Sequence, residues 1–487
     1  MRRFFVKNLL FVIAVNLLVK PLWVFMIDRT VQNTVGHQAY GTYQALLNIC
    51  IIFNVLLDFG LTNYNTNLIA KKPDKLKELF APMLTARIVL ALLYSSVVFL
   101  FGWLTGYRSW ELGLLTGVLL IQGFNSLVLY LRSNVSALHH FKTDSVLSVM
   151  DRLMMIVSCG YLLYNSNTAP HFKIEWFIAA QVICYAVTAI AAFVMIYKIS
   201  GMLPGLSFKT ADVFSNIKQS FPYAILIFLM GTHMRSDMIL VERLASKDEA
   251  GIYASATRLL DIGNMFGLMF AGLLLPMFGR MLGNKQTVQP IIKLSVNMLL
   301  PFSFTISCIA VIWGNDIMQL LYKNAGTYDG NVFAWVMAAF PAYCIMYTYS
   351  TLLTANGSIS LMNKISLAGV IINLSLNFYI IPHEKALGAA ISAFATQSTL
   401  ALCYIYFCHK ETTLPKNPKW IAAHLSFVVF VFAFGYLVHL SSLGWIMQVM
   451  LTGLAAVITM VALRFISTQG ISLLFSKVEK QHKKGAH

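Results

Sequence analysis

Glu175-Trp-Phe-Ile-Ala-Ala-Gln-Val-Ile-Cys-Tyr-Ala-Val-Thr-Ala-Ile-Ala-Ala-Phe-Val-Met-Ile-Tyr-Lys198 has a charge at each end and none across the 22 residues between. Wound as an α-helix at about 1.5 Å per residue, those residues cover roughly 33 Å. That matches the hydrocarbon core of a bilayer, about 30 Å thick. Trp176 stands at one end and Lys198 at the other, the interfacial arrangement expected of a membrane span.

Outward from this segment the same pattern recurs. Fourteen apolar windows lie at roughly 4–27, 40–61, 79–104, 110–131, 143–164, 175–198, 214–240, 250–277, 289–314, 331–354, 361–381, 386–408, 418–439 and 444–466. The 487 residues are 58% hydrophobic and 11% charged, with a mean hydropathy of +0.70. A soluble enzyme of that composition would lack the charge to cover its surface, so the class is an all-α polytopic membrane protein. The connecting loops are too short to house a soluble catalytic domain, and no GxxxxGKT or GxGxxG stands in the chain, which argues against ATP hydrolysis. Seven cysteines, an odd number without a CxxC pair, read as apolar packing residues. His139-His140 lacks a third ligand at metal spacing, so neither metal nor cofactor is expected.

Net charge is +17, and its placement tests the span count. Of the 36 Lys and Arg, 24 fall on the side of the N-terminus, 8 on the opposite side, and Lys20, Arg87, Arg152 and Arg258 lie within spans. The bias alternates loop by loop, which predicts both termini in the cytoplasm and assigns the positive charge to membrane orientation and lipid, with no nucleic-acid partner. Trp420 is the one tryptophan of eight that falls on the cytoplasmic side. Basic residues Arg2, Arg3 and Lys7 precede the first window, which has no small-residue cleavage site and reads as a retained helix.

An internal repeat divides the chain. Gly41-Thr-Tyr43 recurs as Gly251-Ile-Tyr253 at an offset of 210, and Gly60-Leu61 and Gly102 recur as Gly272-Leu273 and Gly314 at 212. Six spans per copy give a six-helix lobe at 1–198, a cytoplasmic linker at 199–213, a second lobe at 214–408, two added helices at 409–466 and a basic tail at 467–487. Parallel repeats of this kind are a transporter architecture with the substrate between halves.

The run from Val35 through Gly41-Thr-Tyr43 to Leu57-Asp-Phe-Gly-Leu61, with its echo from Arg235-Ser-Asp237 to Arg258, resembles the polysaccharide-repeat-unit (Wzx-type) flippases. Their superfamily also holds multidrug extruders and lipid II flippases. The resemblance implies two pseudo-symmetric lobes that open alternately to either side and move a lipid-linked oligosaccharide across a bacterial inner membrane. It also implies a role in surface polysaccharide such as the O-antigen of lipopolysaccharide, and a polysaccharide polymerase and other assembly proteins as partners.

Ionisable groups within spans cost several kcal/mol, so they face a cavity or a partner. Lys20 lies one turn beyond Asn16 on one helix face, and Pro21 permits a bend beside it. The alternative for Lys20 is snorkelling to the headgroups. Arg258 is too deep to snorkel; it lines a cavity or pairs with Asp261 at i+3. Tyr40, Gln44 and Asn48 form a polar stripe on one helix, as Tyr253, Thr257, Asp261 and Asn264 do on another. Arg87 and Arg152 serve either the cavity or interhelical salt bridges, and Arg152 needs a partner other than the adjacent Asp151. Arg235 and Asp237 form either a solvated pair or, as the resemblance favours, part of the cavity. Tyr343, Tyr347 and Tyr349 pack rather than stack on sugar.

In-span cations outnumber Asp58, Asp151 and Asp261 by four to three, which favours an anionic cargo such as a lipid pyrophosphate. A cation-coupled multidrug extruder would call for acidic cavity residues. A membrane-embedded polymerase or ligase would need a large outer loop.

Overall fold

A computed structural model describes residues 19, 21–62, 65, 69, 76–138, 140–200, 211–412 and 417–465. Among the described residues there is helix and no strand, and twelve helices are long and apolar enough to cross a membrane. They are α1 (Trp23–Leu57), α2 (Leu76–Leu104), α3 (Ser109–Ala137), α4 (Phe141–Tyr164), α5 (Ile174–Ser200) and α6 (Ala211–Leu244). After these come α7 (Lys247–Gly283), α8 (Gln289–Leu321), α9 (Thr327–Ala355), α10 (Ile359–Thr412), α11 (Pro418–His439) and α12 (Trp445–Ala462). The first apolar window, 4–27, falls mainly outside the described residues. The windows at 361–381 and 386–408 are carried by one helix, α10, which breaks at Lys385 (φ 52°, ψ −126°).

Helix replaces the loop expected over 28–39. A π-helical turn, Trp23–Asp28, closes with Arg29 N–H on Val24 O, and regular helix follows from Arg29. Gly36 absorbs the break in direction (φ 83°, ψ 168°), a conformation that a side chain would strain. Pro21 stands two residues before the π-turn and has no N–H to give to a helical ladder.

Large apolar side chains point outward, Val157 at 73% and Leu402 at 68% exposure, while Asn373, Asn377, Thr396 and Gln397 are fully buried. This inversion suits a hydrocarbon solvent, in which polar groups must be satisfied internally.

The chain folds as two compact units, Met1–Ser255 with Leu374–Ala389, and Ala256–Asn373 with Ala390–His487. In the first unit α1 crosses the start of α7 backbone to backbone. A Cβ on Gly41 would stand 2.3 Å from Lys247 O, and one on Gly251 would stand 2.3 Å from His37 O. The glycines of the two repeat copies therefore meet each other, and Gln32 Nε2 donates to Gly251 O at 2.9 Å beside them. An apolar cluster including Phe80, Met83, Tyr130, Leu147 and Ile196 joins α2, α3, α4 and α5. In the second unit α8 and α9 approach through Gly314 and Gly330, where an added Cβ would meet backbone at 2.9 and 2.7 Å. The helices α11 and α12 pack on α8 through Cys308, Phe427, Val431 and Ala456, and Trp313 Nε1 donates to Gln448 Oε1 at 2.7 Å.

Candidate functional site: polar groups within the helices

The stripe on α1 is a hydrogen-bonded ladder. Asn48 Nδ2 donates to Gln44 O at 2.7 Å and Gln44 Nε2 to Tyr40 Oη at 2.8 Å. All three are buried, so the i, i+4 spacing holds and the polar face turns into protein. One turn away, Gln181 Nε2 of α5 donates to Tyr43 Oη at 3.1 Å.

Lys20 and Asn16 lie outside the described residues, and Pro21 is half-buried at the start of α1. Arg87, 5% exposed, makes a short ion pair with Asp58 and donates to Ser126 Oγ at 3.1 Å, with its guanidinium 4.7 Å from the Tyr130 ring centre. It forms the interhelical salt bridge and also lines a cleft between α2 and α3. Arg152 is 30% exposed on α4. Its Nε stands 3.5 Å from Asp151 Oδ2, because a long arginine side chain can fold back along the helix, and its guanidinium lies between Trp23 and Tyr185, 5.6 and 5.9 Å from their centres.

Asp237 is 3% exposed, which removes the solvated pair. Asn377 Nδ2 donates to Oδ1 at 2.6 Å and Tyr253 Oη to Oδ2 at 3.2 Å. Arg235 is half-buried two residues before it on α6. On α7, Arg258 Nη1 is 3.6 Å from Asp261 Oδ2, with side-chain exposures of 22% and 28%. Asn264 one turn on is buried. Tyr343 and Tyr349 are buried, and a Cβ on Gly267 would stand 2.2 Å from the Tyr347 ring, so these tyrosines pack.

Charge accounting from sequence overlooked a cluster where α2 joins α3 and α6 joins α7. The Tyr107 hydroxyl donates to the buried Glu242 carboxylate by a short bond, and Arg243 lies 3.5 Å from the Tyr107 ring centre and 3.4 Å from Glu242 Oε2. Burial, reinforced by Glu242, holds the Tyr107 hydroxyl above the usual phenol range, so it remains a donor. Lys247 Nζ reaches Glu111 Oε1 at 2.5 Å. Lys385, at the break in α10, stands 3.5 Å from Glu249. In the sequence these residues look like solvated loop charges, because the partners lie more than 130 positions apart. Among the described residues no group of three or more His, Cys, Asp or Glu could hold a metal ion.

Residues 5–282, more than half of the chain, match the polysaccharide biosynthesis protein family. The chain belongs to that family. The capsular polysaccharide biosynthesis protein CapF of Staphylococcus aureus is 25% identical over 174 residues, which are 35% of this chain and 43% of that protein. The chain thus spans less than half the length of the curated relative it matches. The fold is similar to the lipid II flippase MurJ in an inward closed conformation, with a TM-score of 0.72 at 12% identity, covering 92% of this chain and 98% of that one. An inward-facing multidrug resistance MATE family transporter matches at 0.57 and 12% identity, covering 82% and 94%. The family member therefore shares the fold of polytopic helical transporters.

Proposed function

We propose that this protein is a flippase that moves polyprenyl-pyrophosphate-linked oligosaccharide repeat units across the bacterial inner membrane by alternating access, for surface polysaccharide assembly. The observation that carries the reading is the family match over residues 5–282 on a chain with the lipid II flippase fold. In this reading the repeat supplies lobes at 1–198 and 214–408, the termini are cytoplasmic, and a polymerase and other assembly proteins receive the cargo.

Charge pairing narrows the candidates for pyrophosphate contact. Arg87, 5% exposed, is engaged by Asp58. Arg258 and Asp261 stand 3.6 Å apart, each more than a fifth exposed, and Arg152 and Asp151 stand 3.5 Å apart with Arg152 30% exposed, pairs that a doubly charged phosphate can outcompete. Arg258, Arg152 and Lys20 are the cargo cations in this reading, with Arg235 beside the buried Asp237 contributing field. Asp237, Gln44 and Asn48 supply coupling and cavity polarity.

Reconstitution of the purified chain in vesicles with a labelled lipid-linked oligosaccharide tests the reading. Faster appearance of label on the far leaflet than in empty vesicles is expected. Export of a cationic dye without movement of the lipid-linked sugar would instead establish the multidrug extruder.

A further inference from the structure

A cleft of about 320 Å³ in the second unit is lined by residues of α8, α9, α10 and α11, a volume at the small end of ligand sites. Its polar groups collect at one end. Gln289 opens α8 and Lys293 follows one turn in; His409 is three residues from the end of α10, and Asn417 and Trp420 start α11. Its apolar wall runs deeper: Leu402 lies ten residues before Thr412, about 15 Å down α10. Leu402 and Ile421 are 68% and 51% exposed, so this wall faces lipid.

The mouth is preformed. Trp420 Nε1 donates to Asn297 Oδ1 at 2.7 Å, its N–H donates to Asn417 Oδ1 at 3.1 Å, and its ring centre is 4.8 Å from that of His424. Of the eleven lining residues one is lysine, one is histidine and none is Asp or Glu. Exposed Lys410 and Lys419 flank the opening, against a single flanking carboxylate on Glu411.

We infer that this cleft binds an anionic glycerophospholipid of the leaflet facing these helix ends, its phosphate at Lys293 and an acyl chain along Leu402, Ile405 and Ile421. The gradient from polar mouth to apolar wall along the helix axes is that of a lipid molecule, and the unopposed lysine selects negative charge. It also gives a role to Trp420, which pins the headgroup end as an interfacial indole. The site is independent of which cargo the transporter moves.

The test measures retention of labelled phosphatidylglycerol and phosphatidylcholine by the delipidated full chain in detergent after gel filtration. Phosphatidylglycerol should be retained in preference, and Lys293→Gln should weaken it roughly tenfold, the scale of one hydrogen bond to a charged group. Leu402→Trp fills the chain slot from a lipid-facing position that the fold does not use, and should weaken retention even if Lys293→Gln folds poorly. Lys364→Gln, an exposed lysine outside the cleft, should change nothing. Equal retention of the two lipids, no effect of both cleft variants, or an equal loss in Lys364→Gln would overturn the site. Displacement of the lipid by glycerol 3-phosphate alone would overturn the lipid assignment in favour of a free phosphate ester.

Discussion

Arg258 and Asp261 stand one turn apart on α7, 3.6 Å between their nearest charged atoms, with neither fully withdrawn from solvent. A pair this exposed contributes at most about 1 kcal/mol, so its loss should show in transport and barely in stability. Arg258→Ala is expected to abolish flipping in vesicles with little change in melting temperature. Arg258→Lys should retain part of the activity, since a point charge replaces the fork. Recovery of activity in the Arg258→Ala, Asp261→Ala double variant would show that the arginine serves only its neighbour. Arg87 behaves oppositely. It is 5% exposed against 34% for Asp58, so removing Asp58 strands a buried cation, whereas removing Arg87 leaves a carboxylate within reach of solvent. Asp58→Ala should cost roughly 3 kcal/mol or more of stability and exceed the cost of Arg87→Ala, as read from thermal unfolding in detergent. The reverse order would place the strain elsewhere.

At the scale of helices, the glycine pair decides how α1 meets α7. Backbone atoms occupy the space a side chain would need at Gly41 and Gly251, and backbone cannot rotate aside as a side chain can. Gly41→Val is expected to lose at least about 2 kcal/mol through overpacking. Gly113→Ala on α3, where nothing stands within 4 Å of the added Cβ, should be neutral. Melting temperatures of the two variants make the comparison, and equal effects would refute the close crossing. The sequence marked Gly41 and Gly251 as corresponding positions of a repeat. That they touch follows from docking the two copies together, which no one-dimensional offset contains.

For the molecule as a whole, orientation rests on the alternation of 24 against 8 cations. A reporter cysteine at Asn324, exposed between α8 and α9, should react with an impermeant maleimide from outside intact cells. Six of the seven native cysteines are buried, leaving Cys403 as background. Labelling only after permeabilisation would invert the topology. The compact units divide within α7, after Ser255, and the first includes the segment Leu374–Ala389 of α10, whereas the repeat places its boundary at the linker 199–213. Repeat boundaries record sequence correspondence; compact units record contact, and the charged cluster at Tyr107, Glu242 and Lys247 ties the first repeat to the start of the second.

Composition and periodicity determined the class, most of the apolar helices and the polar stripe on α1, because hydrophobic length and i, i+4 spacing are local properties of the chain. The packing role of the tyrosines on α9 was legible for the same reason. The helix over 29–39 and the joining of two windows in α10 were not legible, and neither was the partner of each charge. Arg87 finds Asp58 at a separation of 29 positions and Asp237 finds Asn377 at 140. Arg152 meets the rings of Trp23 and Tyr185, which stand on other helices. In a helix that is apolar on both its lipid-facing and protein-facing sides, hydropathy carries little information about rotation, since lipid tails and protein interior are equally apolar. Only the packing of helix against helix sets that rotation, and with it which aspartate or aromatic ring each cation meets.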